Sequence, residues 1–370
     1  MKHITIGIPA YKAKDVIANA LSSIQIQTMK QICTVIIASD SSTEDYSYLK
    51  QQYPDLDIVT LTCEKNTGPG LARQRCIDAC TTEWITFIDA DDSFYSPFSI
   101  EHLFTGITEN CVVVQATFLE EMPYEINGAR FLTINTNHGW VFGRLYNLNF
   151  LKNNNIRFSN LRSSEDCEFN FKVRMAVEKT HSLVNIINKP VYLWRRASEN
   201  SITRIGMKEN GGIPLYNNDL SPVGGTVAVI NVIKYCKEIE LFNDTVKSFI
   251  AQYIMQLYFN YVKVIEQSPI FQKQALFNAK RFYQTCYREI EQDITKDMLT
   301  KAYLSLVSEA EYIPTITFSN FIDKIKEANY GGKQEFLEIR AELPDWVEEL
   351  DLKCGALDEE GYIYANGENL

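Results

Sequence analysis

No stretch of this chain reaches the ~18 to 20 consecutive apolar residues of a membrane-spanning helix. The opening MKHITIGIPAYK enters alternating strand pattern at once, which leaves no room for a signal peptide and predicts a cytoplasmic protein. The nine cysteines include no Cys-x-x-Cys pair, so they are expected to be reduced core residues rather than a disulfide framework. With only four scattered histidines, a zinc site is disfavoured. Gly-x-Gly-x-x-Gly and the Walker Lys-Ser/Thr ending are both missing, which disfavours an NAD enzyme and a P-loop NTPase. Basic excess is lacking too: net charge is −11, and the last forty residues hold eleven acids against three bases, leaving residues 1–330 at −3 (33 bases minus 36 acids). That balance gives no footprint for a polyanion, so nucleic acid is not expected as a partner, although a local basic groove stays open.

What is present is ordinary globular material, 370 residues of which 45% are hydrophobic and 22% charged, long enough for two domains. Ile4, Ile6 and Ile8 alternate as a strand, Val16, Ile17, Ala20, Leu21 and Ile24 follow helical spacing, and Val35 to Ala38 reads as a second buried strand. A third strand (Ile58, Val59, Leu61), a helix from about Leu71 to Cys80 and a fourth strand (Trp84 to Ile88) continue the alternation. Such a pattern predicts a mainly parallel sheet covered on both faces. Mixed signals from Val112 to Trp194 complete an α/β domain placed at 1–208, and a Gly/Pro-rich loop or linker is placed at 209–225. Residues 226–330 read as a mostly α-helical domain, and 331–370 as an acidic terminal segment.

The polar clusters fall at strand ends, where ligands bind in such sheets. WITFIDADDSF runs from an apolar strand into Asp89, Asp91 and Asp92. Burying one unpaired carboxylate costs several kcal/mol, so three ask for a cation, donors or water. Carboxylates two apart suit a hard divalent cation; an Asx turn or helix cap is the competing explanation. Asn66-Thr-Gly-Pro-Gly70, before a helix with Arg73 and Arg75, offers donors suited to phosphate, or is simply a turn. Asp166 in Ser163-Ser-Glu-Asp166 is either the third-position acid of a capping box opened by Ser163 or a carboxylate able to take a proton from a hydroxyl.

In this order, IPAYK, VIIASDSST, NTGPGLAR and FIDADD resemble the nucleotide-binding half of a family 2 glycosyltransferase of the GT-A fold, and WVFGRLYNLNFLKNNNIRFSNLRSSED resembles its acceptor half. The resemblance covers roughly residues 1–204. It implies an inverting transferase that moves a sugar from a nucleoside-diphosphate sugar, UDP-hexose or UDP-N-acetylhexosamine, to an acceptor hydroxyl with Mn²⁺ or Mg²⁺. The implied donor-binding residues are Pro9, Tyr11 (stacked on the base), Asp40 (on the base edge), Asn66, Gly68, Arg73 (near the base or diphosphate), Asp89 and Ala90. Asp91 is the implied main metal ligand, with Asp89 toward the ribose and metal, and Asp166 the general base. His138, Trp140, Glu165, Trp194, Arg195 and Arg196 are assigned to the acceptor or sugar side, where Arg195, Arg196 or Arg204 clamps the diphosphate. The acceptor is expected to be a glycan, a lipid-linked sugar or another hydroxyl compound. The helical region lies outside the resemblance; its aromatic residues are plain core or an acceptor-recognition and dimerisation surface, with a homo-oligomer as the implied partner. A sugar-nucleotide nucleotidyltransferase and an inactive sugar-nucleotide-binding module stand as alternatives.

Overall fold

Ile4, Ile6 and Ile8 are fully buried in strand β1 (Ile4–Ala10), which pairs in parallel with β2 (Cys33–Ser39) on one side and β4 (Trp84–Phe87) on the other. The computed structural model describes residues 2–41, 43–126, 129–136, 139–161, 164–195, 222–267, 272–307 and 315–328. It divides into two units, Met1–Ser201 and Ile202–Leu370.

In the first unit, helix α1 (Ile17–Gln25) buries Ile17, Ala20, Leu21 and Ile24, the spacing anticipated from sequence. A short α2 (Leu49–Gln52) leads to β3 (Ile58–Leu61), which joins β2 in parallel. Helix α3 runs Gly68–Ala79, three residues earlier than the apolar pattern suggested, because Gly68-Pro-Gly70 forms its first turn. The chain then adds β5 (Ser93–Phe94), α4 (Ser99–Thr105), β6 (Cys111–Ile126), β7 (Ala129–Asn135), β8 (Arg144–Asn147), α5 (Leu148–Asn153), α6 (Glu165–Thr180) and β9 (Leu183–Trp194). One nine-stranded sheet results, ordered β3-β2-β1-β4-β8-β6-β9-β5, with β7 beside β6. Its first four strands are parallel and its far half is mixed: β8 lies antiparallel to β4 and β6, while β9 runs parallel to β6. Strand order reverses between β1 and β4, which opens a crevice beyond their carboxyl ends.

Aromatic packing brings α6 to that crevice. Phe169 of α6 stacks on Phe158 with centroids 4.1 Å apart, Phe158 meets Phe87 of β4 edge-on at 5.7 Å, and Tyr146 of β8 meets Phe169 at 5.5 Å. Each such pair contributes about 0.5–1.5 kcal/mol beyond area burial. The Tyr146 hydroxyl also donates to Asn170 Oδ1 at 2.7 Å, fixing the helix against sliding. At the far side of the sheet, β9 meets β5 only at Tyr192 and Leu193, and Leu183 and Ile186 are exposed.

The second unit contains α7 (Pro222–Glu238), α8 (Asp244–Gln267), α9 (Gln272–Phe282), α10 (Lys296–Val307) and α11 (Phe318–Glu327). Its core is apolar and aromatic, including Ile233, Ile250, Ile254, Tyr261, Phe282 and Phe321. Helix α7 takes in Pro222 to Gly225, the end of the stretch expected to be loop, since a proline in the first turn gives up no helical hydrogen bond. The rest of that stretch and the acidic segment 331–370 lie outside the described residues. Among the described residues no helix is long and apolar enough to cross a membrane.

Candidate active site

The exits of β1 and β2 are tied together, with Asp40 N–H donating to Ala10 O at 2.7 Å. Pro9 is half-buried at the end of β1, and Tyr11 just beyond it is 49% exposed, with the Lys12 ammonium 5.3 Å from its ring centroid. Lys12 has a left-handed backbone, φ 49°, and its N–H donates to Glu44, as does the Tyr46 hydroxyl. The bond to Glu44, itself held by Tyr46, anchors the backbone directly after Tyr11.

Asp40 is buried, and its carboxylate points inward. It accepts hydrogen bonds from Thr67 N–H (3.0 Å), the Thr67 hydroxyl (2.6 Å) and Gly68 N–H (2.6 Å), and pairs with Arg75 at 2.9 Å. It thus caps the first turn of α3 from another strand. Asn66 Oδ1 accepts from Gly68 N–H at 3.1 Å, and Gly68 has φ 85°, a backbone that favours glycine. Arg75, grouped in the sequence with phosphate donors, spends its side chain on Asp40, Thr67 Oγ1 and Ser39 O.

Arg73 is 5% exposed and bridges two elements: Nη2 donates to Asp89 Oδ1 and Nη1 to Glu165 Oε1, each at 2.6 Å. Gly70 makes room, since a Cβ there would lie 2.9 Å from Glu165 Cγ and 3.1 Å from Ser159 O. Asp166 follows, half-buried, with Oδ1 accepting Cys167 N–H at 2.7 Å. Helix α6 starts at Glu165, with Ser164 (φ 61°) in the cap position and making no side-chain cap bond. Asp166 therefore stands second in the helix, one position short of a box opened at Ser163, and Ser163 itself lies outside the described residues.

The three aspartates after β4 have different surroundings. Asp89 faces Arg73 and retains 30% side-chain exposure. Ala90 is buried and Asp91 half-buried. Asp92 is 2% exposed; it accepts from the Tyr192 hydroxyl at 2.6 Å and from Arg195 N–H at 2.8 Å, while the same hydroxyl accepts Asp89 N–H at 3.1 Å. Asp92 and Tyr192 thereby lock the strand exit to the end of β9, a role the sequence hid within a run of three like residues. Beside them Trp140 and Trp194 lie 5.1 Å apart, both against Phe142, which stacks on Tyr192 at 4.5 Å. Trp140, Trp194 and Arg195 are thus together; His138, Arg196 and Arg204 lie outside the described residues. Phe118 and Phe142 complete this aromatic wall; Phe118 lies in no quoted motif, and Phe142 sits within the acceptor-half stretch without having been singled out.

Electrostatics separate the carboxylates. Burial and the neighbouring Asp166 push Glu165 up to about 8, against the pull of Arg73. Asp166 is also raised, by burial first and Asp89 in addition, with Arg73 opposing. Burial, Asp91 and Asp89 raise Asp92 well above the usual carboxylate range. Burial works against the Arg73 guanidinium, yet Asp89 and Glu165 hold it firmly charged. A partly exposed carboxylate with a raised pKa, next to a crevice at strand ends, is suited to accepting a proton.

Fold and crevice together define an α/β domain of the GT-A type followed by a helical region. Residues 5–165 match the model for glycosyl transferase family 2, so this part of the chain is of that family. It is 33% identical over 110 residues to an uncharacterised glycosyltransferase, YibD, of Escherichia coli K12, covering 29% of this chain and 31% of YibD. It is also 33% identical over 94 residues to the poly(ribitol-phosphate) beta-glucosyltransferase of Bacillus spizizenii, covering 24% of this chain and 15% of that one. The matched region thus spans less than a third of each of these relatives. The structure of S. aureus TarS 1-349 in complex with UDP-GlcNAc superposes with a TM-score of 0.58 over 85% of this chain and 93% of that one, at 16% identity. At that identity the likeness is one of fold.

Proposed function

We propose that this chain is an inverting glycosyltransferase that moves a sugar from a UDP-linked donor to an acceptor hydroxyl, with Asp166 as the general base. The observation that carries this reading is the meeting of Asp89, at the exit of β4, with the start of α6 through Arg73. It sets a donor-side carboxylate and a raised-pKa carboxylate on one crevice of a family 2 domain.

In the proposed reaction Asp166 takes the proton of the acceptor hydroxyl as its oxygen attacks the anomeric carbon. The bond from that carbon to the diphosphate breaks, its electron pair leaves with UDP, and configuration inverts in the single displacement. Tyr11, exposed at the end of β1, offers a face for the base, and Asn66 and Gly68 shape the loop beside it. Asp40 serves that side by holding the loop, since its carboxylate is engaged with Thr67, Gly68 and Arg75. Trp140 and Trp194 offer apolar faces to a sugar, with Arg195 next to them.

Asp89 and Asp91 are two partly exposed oxygen-bearing side chains two residues apart, and they fit a hard divalent cation, Mn²⁺ or Mg²⁺. Among the described residues no third ligating side chain joins them, so the remaining ligands would be water and diphosphate oxygens. When bound, such a cation stabilises charge on the departing diphosphate.

UDP-GlcNAc, the molecule in the TarS complex, is the first donor to try. A panel of UDP-, GDP- and ADP-sugars with Mn²⁺ or Mg²⁺, followed by mass spectrometry, is expected to yield a nucleoside diphosphate and a β- or α-linked product of inverted configuration. Release of pyrophosphate instead would replace this reading with nucleotidyl transfer.

A further inference from the structure

The family resemblance sends Arg73 to the nucleotide and Glu165 to the sugar, yet each is 6% exposed or less and the two are bonded to each other. Both terminal nitrogens of Arg73 are committed, one to Asp89 and one to Glu165. What faces the crevice is Asp89, with 30% of its side chain exposed, and Asp166, the residue after Glu165. The guanidinium is planar, and its two ends reach carboxylates in different directions, which a lysine ammonium cannot reproduce at both sites. Gly70 supports the arrangement from the other side: the space a Cβ would fill is taken by Glu165 Cγ and Cβ, at 2.9 and 3.1 Å.

We infer that Arg73 is a positioning residue, a buried strut that fixes the separation between the donor-side Asp89 and the Glu165-Asp166 start of α6, and does not itself touch the nucleotide sugar. The inference rests on the transferase reading of the same crevice. Its physical content is that a near-attack geometry is intolerant of ångström-scale displacement. The reacting partners are placed from different elements, by Asp89 just beyond β4 and Asp166 at the start of α6, and Arg73 of α3 is bonded to Asp89 and to Glu165 beside Asp166.

The test uses the full chain, with UDP release from UDP-GlcNAc or whichever donor the panel selects, and calorimetry of UDP with Mn²⁺. Arg73→Met is expected to lower kcat roughly 10²-fold and to change UDP affinity less than about threefold. Arg73→Lys should recover part of kcat. Glu165→Gln alone should also lower kcat without weakening UDP, and the Arg73→Met/Glu165→Gln double variant should be no slower than Arg73→Met, since both remove one connection. If Arg73→Met does not fold, Gly70→Ala carries the measurement, because it displaces Glu165 without touching the guanidinium; a loss in kcat with unchanged UDP affinity is expected. A tenfold or greater loss of UDP affinity with kcat retained would make Arg73 a nucleotide contact and overturn the strut. So would full kcat in Glu165→Gln or Gly70→Ala, or multiplicative losses in the double variant. A wild-type protein that binds UDP but releases it from no donor would sink the transferase reading, while UDP affinity in Arg73→Met would still decide whether the arginine touches the nucleotide.

Discussion

The two units of this chain bury different chemistry. Every buried Asp, Glu or Arg among the described residues, namely Asp40, Arg73, Asp92, Glu120, Arg144, Glu165 and Glu168, belongs to residues 1–201. The helical unit buries Thr226 and Asn278, and otherwise an apolar and aromatic core. Apolar burial stabilises wherever it occurs, whereas a buried ion pair is often no better than an apolar replacement and costs about 3–5 kcal/mol when one partner is removed. Charge inside the first unit therefore marks places where position matters more than stability. The helical unit is built by the opposite rule.

The sharpest way to break this contrast is Asp166→Asn. The amide keeps size and hydrogen bonding but cannot take a proton, so transfer should fall roughly 10²- to 10⁴-fold while calorimetric UDP affinity and Tm stay near wild type. Normal turnover in that variant would reduce Asp166 to a helix-start residue. Asp91→Ala comes next: metal-stimulated turnover should drop on the order of 10²-fold, together with Mn²⁺-dependent UDP binding, and full wild-type activity in excess chelator would remove the cation from the account.

A third measurement concerns stability rather than rate. Glu165 is raised from an ordinary value of 4.5 to about 8, so the folded state holds a proton that the unfolded state releases. Stability from this group is present at low pH and declines as pH rises from about 4.5 to about 8. Glu165→Gln should flatten the fall of Tm across that window; an unchanged slope would show that Glu165 titrates normally. The smallest effect belongs to the helical unit. The Thr317 side chain caps α11 by accepting Asn320 N–H at 3.1 Å, so Thr317→Ala should cost ~1 kcal/mol of stability and leave transfer unchanged. Loss of transfer there would blur the division between the units.

Much of this was legible in the chain. Alternation at Ile4, Ile6 and Ile8 and helical spacing from Ile17 to Ile24 gave the first βα unit, because both faces of a central parallel strand are apolar. The far half of the sheet was less so: β6 and β9 are long and bulged, β9 is only partly buried, and their order depends on contacts distant in sequence. Motifs located the crevice but not the direction of its side chains. Asp40 and Arg73 stand where a donor-binding pattern places them, yet their partners, Thr67, Gly68, Arg75, Asp89 and Glu165, are fixed by tertiary packing. The partner of Tyr192 could not be read, since a buried tyrosine in a strand looks the same whether or not its hydroxyl meets Asp92.

The partly open side of β9 bears on the protein's life at high concentration. Leu183 and Ile186 are exposed on a strand whose pairing with β5 begins only at Tyr192. A strand of that kind is a template for pairing with another chain. Lys189, exposed just before the β5 contact, puts a charge on it. A lysine at that point disfavours edge-to-edge pairing with a second copy, because joining the two edges would bring like charges together.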